Sequence, residues 1–267
     1  MPWPPGRGRH VRALLAFVRA RGSVHPREVD DHFSHGTVTN NWGGVSSATT
    51  HLLDAMQYRG LLRVVRREAG IRIYAAHEHQ ARPRDPATRL AHLDALVDVI
   101  VGMYAPLPAA SLSSLIGRLR YAVPQWRGEL NRTLQRAKRR LSSARIDGVV
   151  WYWPAEQRFA AGEPDDLVRL LAPFDPVVWD RRRFEMLWGW AYRFEAYTPV
   201  PKRKLGYYAL PLLWRDRVIG WANVSLRSGM IQSEFGYIAS HPPRDRVFRR
   251  AQEEELNRLR VFLGLNA

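Results

Sequence analysis

SSATTHLLDAMQYRGLLRVVRREAGIRIY, residues 46–74, decides how the first part of the chain folds. Ser46 is placed to cap a helix that ends at Gly60. Ala48, Leu52, Ala55 and Met56 share one side of that helix, and Ser47, Thr50, His51, Asp54 and Tyr58 share the other. Two β-like runs follow, Leu61 to Arg66 and Ile71 to Tyr74, with a turn signal at Glu68-Ala69-Gly70 between them. Upstream, Val11, Leu14, Leu15 and Val18 mark one face of a helix that Gly22 stops. Pro26 opens a short second helix through His32, and a Gly/Asn-rich turn leads into the third.

Three helices followed by a hairpin is the winged-helix order, and it predicts such a domain over residues 9–80. In that arrangement the third helix meets the major groove and the wing meets backbone or minor groove. Ser47, Thr50 and His51 on the helix offer hydrogen-bonding groups, while Arg63, Arg66, Arg67 and Arg72 make the wing basic. Phosphate contact is therefore assigned to the wing, where it adds affinity more than sequence choice.

ARPRDPA, residues 81–87, has the look of a linker. Beyond it, Leu90, Leu93, Leu96, Val97, Ile100 and Val101 outline an amphipathic helix that Pro106 and Pro108 end. Helices are expected over Ser111 to Leu119 and Trp126 to Leu141, and a strand over Val149 to Trp153. Leu130, Leu134, Ala137 and Leu141 face inward on the third helix, with Arg132, Arg136 and Arg139 opposite. This order suggests a second winged-helix-like domain over 88–160, its basic face either a DNA-facing stripe or a solvated surface.

Residues 165–267 read as a β-rich domain. Strands are expected over Tyr192 to Tyr197, Gly206 to Leu213, Val218 to Ser225 and Ile231 to Ile238, closed by a helix from about Asp245 to Leu263. The fold class is thus α+β: tandem winged helices, then a mainly antiparallel β domain with a closing helix. FDPVVWDRRR, residues 174–183, and the loop PVPKRK, residues 199–204, bring Arg181, Arg182, Arg183, Lys202, Arg203 and Lys204 forward as a phosphate-binding rim.

Composition bounds the rest. The 267 residues hold 41 Lys and Arg against 25 Asp and Glu, a net charge of +16, which draws the chain to polyanions. Ten Trp and 46% hydrophobic residues are enough to build cores. Cysteine is absent, which excludes disulfides, thiolate nucleophiles and Cys-ligated metals. His77 and His79 flank Glu78, but two nearby histidines do not make a metal site, and none is expected. No signal peptide or membrane span is read, so the expectation is a cytoplasmic, monomeric protein.

LAPFDPVVWDRRRFEMLWGWAYRFEAYTPVPKRKLGYYALPLLWRDRVIGWANV, residues 171–224, resembles the C-terminal region of bacterial interstrand-crosslink DNA glycosylases of the AlkZ and YcaQ type. The elements PFDP-VWDR, Y-P-PKR and GYY-LP-L stand in that family's order and spacing. RGSVHPREVDDHF and NNWGGVSSATTHLLDAMQYRGLLRVVRREAGIRIY are similar to a later winged helix of the same family, with a Trp-containing loop before the helix. The resemblance implies double-stranded DNA, alkylated or crosslinked, as the partner, and hydrolysis of the N-glycosidic bond of N7-alkylated purines without a cofactor. It also implies a catalytic Gln-x-Asp or Gln-x-Gln motif in a winged helix upstream of everything matched here. No such motif occurs in the 267 residues, so no catalytic residue is carried over. The chain is expected to be truncated or catalytically deficient; the alternative is a winged-helix transcription regulator or another non-catalytic DNA-binding protein. Asp175 and Asp180 are read as structural carboxylates. The functional expectation is a continuous cationic surface fitted to a double helix.

Overall fold

The computed structural model describes residues 7–33, 36–39, 43–78, 85–158 and 162–265. The chain forms two compact units, Met1–Pro83 and Arg84–Ala267. Trp42, His79 and the first part of the expected linker, 81–84, lie outside the described residues.

The first unit begins with α1 (Arg7–Arg21), whose Val11, Leu14 and Val18 face the core. The short strand β1 (Ser23–Val24) leads to α2 (Pro26–Phe33). A small hairpin of β2 (Thr37–Thr39) and β3 (Val45–Ser47) then occupies ground read as a plain turn. The third helix, α3 (Ala48–Tyr58), is capped by Ser47 rather than Ser46: Ser47, extended at the end of β3, is the residue whose side chain accepts from Thr50 N. Its core side is Thr49, Leu52, Leu53 and Met56, so Thr49 and Leu53 replace Ala48 and Ala55 in the expected stripe. β4 (Leu62–Glu68) and β5 (Ile71–Ala76) close the unit as an antiparallel hairpin. Ala69 and Gly70 at its tip both have positive φ, the geometry that matches strand twist in a two-residue turn. β5 lies between β1 and β4, which places buried Tyr74 against Val24 at the centre of the sheet.

The second unit starts with the same plan. Asp85 caps α4 (Pro86–Tyr104), with Pro86 in its first turn, so the last residues of the expected linker are helical. Leu93, Val97 and Val101 of α4 are fully buried. β6 (Leu107–Pro108), α5 (Ala109–Ala122), a 3₁₀ turn (Pro124–Glu129) and α6 (Leu130–Arg140) follow. The expected single helix from Trp126 is therefore a 3₁₀ turn joined to a shorter α-helix. β7 (Ser142–Ile146) and β8 (Val149–Trp153) form a hairpin with positive φ at Asp147 and Gly148. β8 is the central strand, and Tyr152 pairs with Leu107 as Tyr74 does with Val24.

The remainder is a four-stranded antiparallel sheet closed by a helix. β9 (Val168–Leu170) leads to α7 (Pro176–Trp179) and α8 (Arg181–Trp188). β10 (Leu210–Trp214), β11 (Arg217–Arg227) and β12 (Met230–Tyr237) follow, and α9 (Arg246–Phe262) packs Phe248 and Ala251 against Val168 and Leu212. Sheet order is β12-β11-β10-β9. The architecture is α+β, with the expected antiparallel sheet and closing helix in place. The expected strand at Tyr192–Tyr197 is a loop. Its alternating pattern has another cause: Tyr192 donates to the Ala209 carbonyl at 2.7 Å, and Glu195 turns inward to bind backbone. Among the described residues no helix is long and apolar enough to cross a membrane.

Candidate nucleic-acid interface

On α3, Ser47 accepts from Thr50 N and donates to Asp30 at 3.4 Å. Its proton is committed to holding α3 on α2, which removes it as a base-reading donor. Thr50 is half-buried and His51 is exposed. Thr50 lines an open groove of about 490 Å³ with Asp30, Asp54 and Arg72. Asp54 receives Arg72 at 2.8 Å and the Tyr74 hydroxyl at 2.6 Å. The Tyr74 hydroxyl and the Asp54 carboxylate together hold the Arg72 guanidinium above its ordinary value. Burial, then the bond to Asp54, pushes the Tyr74 hydroxyl up to about 12. Arg72 therefore ties hairpin to helix and is not an idle wing cation.

The hairpin arginines divide in the same way. Arg66 pairs with Glu68 at 2.7 Å, and Arg67 bonds the Gly70 carbonyl of its own turn at 3.0 Å. Arg63 is exposed without an ion pair among the described residues. In the second unit Arg136 is partly buried and clasps Asp94 of α4 through Nε and Nη2. Arg132 and Arg139 stay exposed on the outer face of α6.

The expected six-residue rim also breaks up. Asp175 caps α7 and Asp180 caps α8, so both carboxylates are structural, as the sequence suggested. Arg183, 3% exposed, inserts its guanidinium between the carbonyls of Tyr104 and Pro176. Arg181 bonds the Val178 and Pro173 carbonyls and lies 4.5 Å over the Tyr192 ring. Burial lowers both guanidinium groups below their ordinary values. These two arginines leave the rim because each is enclosed by carbonyls of its own fold; Arg182 alone of the three is exposed.

The PVPKRK segment is a compact loop, not an extended one. Val200–Lys202 is a 3₁₀ turn, and Arg203 donates to the Thr198 carbonyl at 2.7 Å. Buried Glu195 accepts from the backbone N–H groups of Lys204, Leu205 and Gly206. Burial alone would raise this carboxyl, but those three N–H groups and the Lys204 charge hold it below the usual range. The wrap leaves Lys202 and Lys204 exposed. Of the candidate cations, Arg63 in the first unit and Arg132, Arg139, Arg182, Lys202 and Lys204 in the second are exposed, their side chains bound to neither an acid nor a carbonyl among the described residues.

One feature of this region escaped sequence reasoning. Phe174, Phe194, Tyr197 and Tyr208 form an edge-on aromatic cluster beside the loop. The FEAY and GYY runs were the available signal, and both were read as strand. No solved structure matches the chain. The family model of the AlkZ-like DNA glycosylases matches residues 5–262, nearly the full length, and the chain belongs to that family, whose substrate is DNA.

Proposed function

We propose that the chain grips double-stranded DNA as a crosslink-repair glycosylase of this family does, using winged helices over 9–80 and 88–160 and the loop that carries Lys202 and Lys204. The observation that carries this reading is the exposure of Arg132, Arg139, Lys202 and Lys204, whose side chains no acid or carbonyl of the described residues claims. Arg132 and Arg139 lie on one helix face and Lys202 and Lys204 on one loop, a spacing suited to successive phosphates.

The reaction proposed for enzymes of this kind is hydrolysis of the N-glycosidic bond of an N7-alkylated purine. Alkylation makes the base cationic and a good leaving group, so the enzyme's task is to place water and stabilise an oxocarbenium-like sugar. These 267 residues contain no Gln-x-Asp or Gln-x-Gln pair to do so, and we assign them binding without excision.

Binding to a short duplex, measured across salt concentrations, tests this. Replacing Lys202 and Lys204 together, or Arg132 and Arg139 together, by Ala should lower affinity and reduce the log–log salt slope by roughly 0.9 per lost phosphate contact. Unchanged affinity and slope in both pairs would reject the interface. The chain should release no 7-methylguanine from an alkylated duplex; release would reject the non-catalytic assignment.

A further inference from the structure

The second unit exposes rings that soluble surfaces usually cover. Tyr197 is 85% exposed, Phe174 62% and Tyr207 59%. A contiguous apolar patch of this kind marks a contact site more often than a bare surface. Phe194 fixes three of the rings from below, meeting Phe174 at 5.3 Å, Tyr208 at 5.1 Å and Tyr197 at 6.2 Å, all edge-on. Arg203 lies 5.0 Å over Tyr207. Lys202 and Lys204 stand exposed in the same loop.

Tyr207 and Tyr208 also line a cavity of about 460 Å³. The side opposite the rings is the β11–β12 ladder, where Asn223 is registered with Glu234 and Ser225 with Gln232. The Asn223 amide is preset: its nitrogen donates to the Leu205 carbonyl at 2.8 Å. Its other edge packs so closely on Gly206 that a Cβ there would lie 2.3 Å from Asn223 Oδ1. Gly206 also has φ +120°, which only glycine adopts easily, so both backbone and space demand it.

Rings, a preset amide, an exposed carboxylate and the Arg227 cation in one lining suit one chemical class, a planar heterocycle attached to phosphates. A base inside a duplex is covered on both faces by its neighbours and cannot enter. We infer that this cavity takes an unpaired DNA base, stacked on Tyr207 or Tyr208, with its edge on Asn223, Gln232 and Glu234 and a flanking phosphate on Arg227. An ionised carboxylate only accepts hydrogen bonds, so Glu234 favours a base with an exocyclic amino group. The inference rests on the DNA-binding reading but concerns a different property, preference for an unpaired over a paired base.

The test compares the 267-residue chain on a fully paired duplex and on the same duplex with one bulged cytosine. The bulged DNA should bind about 10-fold tighter, as expected from one stacked base. Replacing Tyr207 and Tyr208 by Ala should bring the ratio to about one and leave paired-duplex affinity unchanged; Phe at both positions should preserve it. Should the Ala variant fold poorly, the solvent-side pair Gln232→Ala and Glu234→Ala supplies the reading, and it should erase the preference for bulged cytosine over bulged thymine. Equal affinity of the unmodified chain for both DNAs overturns the inference alone, as does a ratio that survives both sets of substitutions. Failure to bind either DNA overturns the DNA reading itself.

Discussion

Residues 7–76 and 86–153 trace the same path: helix, short strand, helix, helix, hairpin, with the last strand in the middle of its sheet. Each centres a tyrosine opposite the short strand, Tyr74 on Val24 and Tyr152 on Leu107. Each closes its hairpin on two residues of positive φ and has an arginine bonding the turn glycine's carbonyl, Arg67 to Gly70 and Arg145 to Gly148. Their charges are arranged in opposite ways. The third helix of the first, ATTHLLDAMQY, has no Lys or Arg and one Asp; that of the second, LNRTLQRAKRR, has five cations and no acid. The shared backbone therefore does not decide which element meets phosphate. Apart from the five arginines of α1, the first repeat carries its cations mainly on the hairpin and ties two of them to acids, whereas the second places them on the third helix and ties Arg136 and Arg140 to Asp94 and Asp98 of α4.

The largest effect tests how the second repeat is anchored. Arg183 reaches the last carbonyl of α4, and Trp179 packs on Tyr104 at 5.7 Å, so the repeat shares its core with α7 of the segment that follows it. Arg183→Ala leaves two enclosed carbonyls without a donor and opens a cavity. The expected cost is about 3 kcal/mol by urea unfolding, since hydrogen bonds to a charged donor contribute more than neutral ones. Amide exchange in Leu93 to Val101 should rise with it. An effect within ~0.5 kcal/mol would mean that the anchor lies elsewhere.

A middle-sized effect separates structural arginines from available ones. Asp54→Ala strands the buried Tyr74 hydroxyl and releases Arg72, at a cost of about 1–3 kcal/mol. Asp94→Ala releases Arg136 from a pair that is three-quarters buried on both sides, at a similar cost. In either variant the freed guanidinium should steepen the salt dependence of DNA binding by up to ~0.9. A gain at Arg136 and none at Arg72 would place the helix, not the hairpin, on the phosphates.

Much of the repeat plan was legible because it is local. Helical periodicity gave α1, α3 and α4, Pro26 gave the start of α2, and Gly22 the end of α1. Val149–Trp153 was read with its observed bounds, being an apolar run between a turn and a proline. What escaped depends on distant partners. FDPVVWDRRR reads as a turn and a charge run, but two Asp caps convert it into consecutive helices, and the Tyr104 carbonyl draws Arg183 inward from 79 residues away. Glu195 looked like a strand residue because nothing nearby reveals that it organises the backbone of 204–206. Charge counts did not reveal which arginines would be claimed internally, since acids such as Asp54 and Asp94 select their partners only once the helices have packed.

The smallest effect sharpens the likeness of the two hairpins. Ala69 has φ 45° and Asp147 φ 48°, each followed by glycine at φ 83° and 77°. An alanine held there is crowded by its own Cβ, at a cost of roughly 1 kcal/mol, whereas aspartate tolerates the left-handed region through its short polar side chain. Glycine relieves the strain but adds freedom to the unfolded chain, which offsets part of the gain. Ala69→Gly should therefore stabilise residues 7–76 by about 0.5 kcal/mol, while Asp147→Gly should leave 86–153 unchanged or slightly weaker. Thermal unfolding of the two variants side by side measures the difference. Equal responses would mean that the turns differ in strain from what their shared φ values imply, and that the common backbone plan does not extend to the hairpin tips.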